Sequence, residues 1–237
     1  MTLFTYKGAP VNLHSTFFII AALYIISGAL STGIAGAITS TILIIMLFGS
    51  VLLHEMGHVT VARHFGINTR SITLHLLGGL ASIEREPDNP MEEIYIALAG
   101  PAVNVVLLFA AMPLVYMNIP GSLELAFINL IMGVFNLVPA YPMDGGRVLR
   151  ALLSKKVGRP RATEIALKIA SGFALLFIIV GIYIGWIGLA LLGGVLLLIT
   201  HIQQPLRPPR RVVRERAVRG LTRTQERTVR RLSLIHI

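Results

Sequence analysis

The sequence contains no cysteine and few charged residues. The absence of cysteine from 237 residues excludes disulfide bonds and thiolate metal ligands, so any metal must be held by His and carboxylate side chains. Charged residues make up 14% of the chain and hydrophobic residues 54%, which is too apolar for an ordinary soluble protein. The composition therefore predicts a protein that folds within a lipid bilayer.

Two long tracts, residues 8–54 and 169–206, lack Asp, Glu, Lys and Arg altogether. Each is long enough for two membrane spans of about 20 residues. Two shorter uncharged tracts, residues 94–123 and 125–143, have room for one span each. The sequence thus predicts an α-helical integral membrane protein with about six transmembrane helices, over residues 13–30, 37–65, 91–117, 123–139, 165–183 and 186–202.

The first apolar stretch has an alternative interpretation as a secretory signal. Lys7 precedes it, and Gly28-Ala29 offers small residues near which a signal peptide is cleaved. However, the apolar character resumes directly after Ser31-Thr32-Gly33, as expected for a short turn between two spans. We therefore favour two spans.

Residues 71–84, between the second and third spans, alternate in polarity. Ile72, Leu74 and Leu76 fall on one face of an extended chain, and Gly78-Gly79 follows them. This pattern predicts a short β-hairpin, with an irregular loop as the alternative.

The net charge of +10 is concentrated at one end of the chain. Residues 203–237 hold ten Arg against Glu215 and Glu226, or +8, whereas residues 1–202 hold eleven basic and nine acidic residues, or +2. We divide the chain accordingly into a transmembrane core, 1–202, and an Arg-rich tail, 203–237. The tail is expected to contact anionic lipid headgroups, and no nucleic-acid partner is expected. The positive-inside rule then places both termini in the cytoplasm.

The second predicted span contains His54-Glu55-Met56-Gly57-His58. Histidines four residues apart lie one turn apart on one helix face, close enough to share a metal ion. The HExxH pattern is typical of zinc metalloproteases, in which the Glu is the general base. Ionisable side chains are costly in a membrane helix and are usually functional there.

Zinc requires a third protein ligand, for which His64 and Asp144 are candidates. A helix that continues past Val61 would carry His64 roughly 15 Å along its axis, away from His54, so we reject it. Asp144 follows a proline-containing break and precedes Gly145-Gly146, which permits a tight turn. The alternative is that Asp144 only caps the next helix.

Three motifs together resemble the site-2 protease family of intramembrane zinc metalloproteases. They are the HExxH segment followed by Ala62-Arg63, the segment Gly100-Pro101-Ala102-Val103-Asn104, and residues 136–146. The resemblance implies that His54, His58 and Asp144 bind one zinc ion per chain and that Glu55 is the catalytic base. It also implies that the hairpin at Gly78-Gly79 receives substrate and that Asn104 and Asn136 support the site.

The resemblance further implies an enzyme of a prokaryotic cell membrane that cleaves a single-span membrane protein in or near its membrane segment. Many relatives also carry a paired CBS domain or an inserted PDZ domain, and we expect neither within these residues. Two other functions stay open, namely a catalytically inactive membrane adaptor and a metal-handling membrane protein. Asn104 has an alternative role as a polar contact between helices, and Gly100-Pro101 is interpreted as a packing feature.

Overall fold

The computed structural model describes residues 1–75 and 78–203. Leu76 and Leu77 of the predicted hairpin, and all of the predicted tail except Gln203, lie outside the described residues. The described residues form six helices and four strands, in this order: β1 Thr2–Tyr6, β2 Ala9–Leu13, α1 Ser15–His64, β3 Thr69–His75, β4 Gly78–Ile83, α2 Pro90–Tyr116, α3 Ser122–Asn136, α4 Asp144–Val157, α5 Arg159–Tyr183 and α6 Ile187–Gln203.

Helix α1 is bent back on itself at Thr32-Gly33, where the backbone leaves helical geometry. The φ of Gly33 is 66°, a conformation that glycine adopts without strain. A Cβ on Gly28 would lie 2.6 Å from the carbonyl oxygen of Gly36, so the two halves touch at their backbones. Away from the turn, the rings of Phe17 in the first half and Phe48 in the second half are centred 4.4 Å apart. Residues 15–31 and 34–64 thus form two antiparallel halves, joined at the turn expected from the sequence.

By length and composition, three of the described helices can cross a membrane: α1, α2 and α5. Helices α3 and α6 are apolar but shorter. The predicted helical fold with helices able to cross a membrane is confirmed, and the number of six spans stays a prediction.

The four strands form one sheet in the order β1-β2-β3-β4. Strands β3 and β4 pair antiparallel at the place of the predicted hairpin, whereas β1 and β2 were not predicted. The β1–β2 turn is Lys7-Gly8, and both residues have positive φ, as a type I′ hairpin turn requires. The sheet packs on the end of α1 through Val59, which is buried with Val11 and Ile72. Arg63 of α1 also donates to the Lys7 carbonyl oxygen.

An ion-pair cluster fixes α4 against α2 and α5. Glu93 of α2 is 1% exposed, and its Oε1 accepts from Arg150 Nε of α4 at 2.9 Å. Its Oε2 accepts from Arg159 of α5 at 3.2 Å. Burial alone would lower the pKa of the Arg150 guanidinium, and the Glu93 carboxylate instead raises it above its usual value. Arg150 therefore remains charged inside the protein.

Candidate metal centre

His54 and His58 lie on one face of the second half of α1. Both side chains are buried, and their Nε2 atoms are 3.1 Å apart. This closeness follows from the helical spacing of four residues, which places both rings on the side of α1 that faces α2 and α4.

Asp144 is the first residue of α4 and brings a carboxylate to the two imidazoles. Its Oδ2 lies 3.1 Å from His54 Nε2 and 3.2 Å from His58 Nε2. The structure therefore brings together the three residues that the sequence suggested as ligands.

The loop before α4 folds closely onto the start of that helix. A Cβ on Gly145 would lie 2.3 Å from the Leu137 carbonyl oxygen, and one on Gly146 would lie 2.4 Å from Tyr141 N. The two glycines therefore allow the close contact between the loop and α4 that directs the Asp144 side chain toward α1. Asp144 does not cap α4, because Met143 is the N-cap residue and no side chain caps the helix.

The hydrogen bonds of both imidazoles determine which ring nitrogen carries the proton. His58 Nδ1 lies 2.6 Å from the Ile96 carbonyl oxygen, which only accepts, so this nitrogen carries a proton. His54 Nδ1 lies 2.6 Å from Asn104 Oδ1 and donates to it in the same way. Asp144 Oδ2 is buried and has no hydrogen-bond partner among the described residues, since neutral imidazoles protonated at Nδ1 have only a lone pair on Nε2. Three lone pairs thus meet at one point, an arrangement that a cation stabilises.

The three converging atoms match the dimensions of a zinc site. In tetrahedral zinc with bonds of about 2.0–2.1 Å, neighbouring ligand atoms lie roughly 3.3 Å apart. The three separations here are 3.1, 3.1 and 3.2 Å. Two imidazole nitrogens and one carboxylate oxygen are ordinary zinc ligands, so these residues fit that ion.

Gly100 of α2 lies directly beside the two imidazoles. A Cβ at this position would be 2.3 Å from His58 Nε2 and 2.6 Å from His54 Nε2. The predicted packing feature is thus a requirement of the candidate site, because only glycine leaves room for both rings.

Comparison with known proteins agrees with this geometry. The model of Peptidase family M50 matches residues 42–121 and 122–179, which include all three converging side chains. The chain belongs to Peptidase family M50.

Curated proteins similar to this chain include zinc metalloprotease MJ0392 of Methanocaldococcus jannaschii, at 38% identity over 76% of this chain and 53% of the relative. Putative zinc metalloprotease sll0528 of Synechocystis is 37% identical over 73% of this chain and 50% of the relative. The chain thus spans about half the length of these relatives.

A solved structure is also similar to this chain. The site-2 protease from Methanocaldococcus jannaschii has a TM-score of 0.70 and 34% identity, covering 88% of this chain and 96% of that one. The predicted resemblance to the site-2 protease family is confirmed.

Glu55 and Arg147 border the candidate metal centre. Glu55 follows His54 on α1 and is half-buried. Arg147 lies one turn after Asp144, with Nη1 3.9 Å from Asp144 Oδ1, the carboxylate oxygen that faces away from the imidazoles. The guanidinium therefore offsets part of the negative charge of Asp144.

The other sequence candidates lie around the centre rather than within it. Asn136 is half-buried at the end of α3, and no side-chain hydrogen bond forms there within the described part of the chain. Gly78 and Gly79 begin β4, where they pair with His75 and Leu74 of β3. His64 is exposed at the last position of α1 and does not belong to the candidate metal-binding group of His54, His58 and Asp144.

Sequence reasoning missed one group that contacts an imidazole and one that contacts Asn104. One is the Ile96 carbonyl, which no sequence pattern could identify because it belongs to the backbone. The other is Asn129 of α3, which is 1% exposed and accepts from Asn104 Nδ2 at 2.9 Å. A signal existed for Asn129, because it is an amide in an uncharged apolar segment.

Proposed function

We propose that this chain is an intramembrane zinc metalloendopeptidase that hydrolyses a peptide bond in or near the membrane segment of a membrane-anchored protein. One observation carries the proposal: three buried potential ligand atoms, from His54, His58 and Asp144, converge within 3.2 Å of one another between apolar helices. Such a cluster is costly in an apolar interior unless it serves a metal.

The proposed cofactor is one zinc ion per chain, held by these three atoms. Bound zinc lowers the pKa of a water molecule to near 7 and polarises a carbonyl group. The donor set supports zinc, as do the relatives named zinc metalloproteases.

Glu55 is the proposed general base. It neighbours His54 on the same helix, and within the described residues it forms no ion pair that would occupy its carboxylate. Glu55 takes a proton from the attacking water and delivers it to the departing amine of the substrate. Asn104 and the Ile96 carbonyl hold the imidazoles in place throughout.

The proposed orientation has six spans, with both termini in the cytoplasm of a prokaryotic cell. The bend in α1 supports two crossings by that helix. Because Arg63 contacts Lys7, the N-terminal hairpin and the basic end of α1 are proposed to lie on the same side of the membrane. The proposed membrane surface on that side carries anionic headgroups, which the Arg-rich tail, 203–237, would contact.

The proposed substrate is a single-span membrane protein whose helix unwinds next to β4. Strand β4 ends the sheet order, so one of its edges is unpaired within the described residues. An unwound substrate segment can add to such an edge as a further strand. Asn136, at the end of α3, and Gly78-Gly79 are the proposed supports on this path.

Proteolysis by the purified chain tests the proposed function. The probe is a single-span fusion protein with a Gly-Pro pair in its membrane segment, since that helix unwinds readily. Glu55→Gln is expected to lower the cleavage rate by about 10²–10⁴-fold while zinc stays bound, because only the proton carrier is lost. Cleavage is measured by gel shift, and bound metal by elemental analysis.

The matched control for this test is Glu124→Gln, which removes the same charge from an exposed position at the start of α3. It is expected to cleave at the wild-type rate. Cleavage that survives Glu55→Gln or a zinc chelator would rule out the proposed chemistry. Zinc bound without any cleavage would instead favour an adaptor.

A further inference from the structure

Three buried polar side chains from three different helices form a chain that ends at His54. Ser50 of α1, Asn104 of α2 and Asn129 of α3 are 2%, 0% and 1% exposed. Polar groups buried this deeply must satisfy one another. The Ser50 hydroxyl can donate or accept and so imposes no orientation on the two amides, whereas a carbonyl oxygen only accepts and does.

The orientation of the Asn129 amide is fixed at the backbone of its own helix. One hydrogen of Asn129 Nδ2 is donated to the Leu125 carbonyl oxygen at 2.9 Å, and the other to Ser50 Oγ at 3.0 Å. Because a carbonyl oxygen only accepts, the nitrogen of Asn129 must face Leu125. The oxygen of Asn129 therefore faces Asn104.

This orientation is passed on to the metal centre through Asn104. Asn104 Nδ2 donates to Asn129 Oδ1 at 2.9 Å, which leaves Asn104 Oδ1 to face His54. His54 Nδ1 lies 2.6 Å from that oxygen and must carry the ring proton. The lone pair of His54 then lies on Nε2, beside Asp144 Oδ2 at 3.1 Å.

We infer that Asn129 is a positioning residue that fixes the tautomer of His54 by holding the Asn104 amide in one orientation. The inference rests on the proposed function, because it assigns Asn129 a role in presenting His54 to zinc. With the Asn104 amide reversed, two oxygens would face each other at Asn129 and an N–H would face His54 Nδ1. That arrangement favours the proton on Nε2, where it blocks the metal.

The second imidazole needs no such support. His58 donates from Nδ1 to the Ile96 carbonyl, a backbone group that cannot reverse. The role of Asn129 is therefore specific to His54. Without Asn129, the remaining contact of Asn104 Nδ2 is Met132 Sδ at 4.0 Å, a weak acceptor.

The test uses two variants of Asn129 in the full chain. Asn129→Leu removes both the NH₂ group, which donates to Leu125 and Ser50, and the oxygen, which accepts from Asn104. Asn129→Thr keeps a partner for the Leu125 carbonyl, because a threonine hydroxyl bonds the carbonyl four residues earlier, but it does not reach Asn104. The threonine variant thus leaves the Leu125 carbonyl with a hydrogen-bond donor but removes the contact with Asn104, and so the connection to His54 is lost.

Both variants are expected to lose zinc affinity by about 10–100-fold, the usual cost of removing an outer-shell partner of a metal ligand. Zinc affinity is measured by competition with a chelator. Ring ¹⁵N shifts of His54 report directly which nitrogen carries the proton. A protonated Nε2 form is expected to appear in both variants and to be absent from the wild type.

The matched control is Ser50→Ala. It removes one hydrogen bond from the same amide, but Leu125 still fixes the orientation of Asn129. Its zinc affinity is expected within about twofold of wild type, well short of the loss from a missing outer-shell partner. Equal loss in Ser50→Ala and Asn129→Thr, or an unchanged His54 tautomer in both Asn129 variants, would overturn the inference.

The two proposals fail in different ways. A wild-type chain that binds no zinc would contradict the proposed function, and the ring shifts of His54 would still test the role of Asn129. Conversely, full zinc affinity and an unchanged tautomer in Asn129→Thr would overturn the role of Asn129 and leave the protease proposal intact.

Discussion

The α2–α4 pair and the α5–α6 pair are held together by different interactions. Helix α4 meets α2 through the buried ion pair of Arg150 with Glu93, and it carries Asp144 to the imidazoles beside Gly100. Helices α5 and α6 meet through small residues, since a Cβ on Gly193 would lie 2.5 Å from the Ala174 carbonyl oxygen. A change in the first pair should therefore disturb metal binding, and one in the second only stability.

Gly100→Ala should produce the largest effect, because it places a methyl group in the space of both imidazole rings. The added Cβ would lie 2.3 Å from His58 Nε2, and it cannot move away because it is fixed to the α2 backbone. Zinc affinity is expected to fall by about 100-fold or more, beyond the usual cost of an outer-shell change. The measurement is chelator competition on the purified protein.

The control for Gly100→Ala is Gly49→Ala in α1. A Cβ at Gly49 meets nothing within 4 Å, so the same chemical change is made in a transmembrane helix without a clash. Its zinc affinity should equal that of the wild type. If Gly100→Ala also bound zinc normally, the described contact between α2 and the imidazoles would be wrong.

Part of the candidate metal-binding group could be predicted from the sequence because the spacing of His54 and His58 fixes their relation on a helix. Asp144 lies far away in the sequence, and it was proposed from the proline-containing break before it and from the family resemblance. Which buried amide meets His54 could not be predicted in this way. Asn104, Asn129 and Asn136 all lie in apolar segments, and the rotation and crossing of α2 and α3 decide their contacts.

The N-terminal sheet shows a second limit of sequence reasoning. Lys7-Gly8 is a weak turn signal. Strand β2 also pairs with β3, although all of α1 lies between these two strands in the sequence. Parallel pairing between segments so far apart depends on α1 folding back and bringing both its ends to one side. The strands of residues 2–13 were therefore missed, although the bend itself was predicted.

Glu93→Gln should produce the next largest effect, chiefly on stability. It leaves the Arg150 charge buried without its carboxylate, and breaking such a pair costs about 3–5 kcal/mol. Zinc affinity should fall as well, because Arg150 and Asp144 belong to the same helix. Denaturation in mixed micelles measures the free energy of unfolding.

Glu86→Gln provides the control for the ion pair. Glu86 also approaches Arg150, at 3.9 Å, but its side chain is 59% exposed. An exposed pair contributes about 0–1 kcal/mol, so this variant should unfold nearly as the wild type does. Equal losses of unfolding free energy in Glu93→Gln and Glu86→Gln would show that the burial of Glu93 does not strengthen its ion pair with Arg150.

Gly193→Ala should produce the smallest effect and separate the two helix pairs. The added Cβ would lie 2.5 Å from the Ala174 carbonyl oxygen, and overpacking of this kind costs about 1–3 kcal/mol. Its neighbour Gly194 has nothing within 4 Å of an added Cβ, so Gly194→Ala should unfold within about 1 kcal/mol of the wild type. Both variants should keep the wild-type zinc affinity, because the α5–α6 contact lies outside the metal centre. A loss of zinc affinity in Gly193→Ala alone would show that the α5–α6 contact also shapes the metal centre, and the distinction between the two pairs would fail.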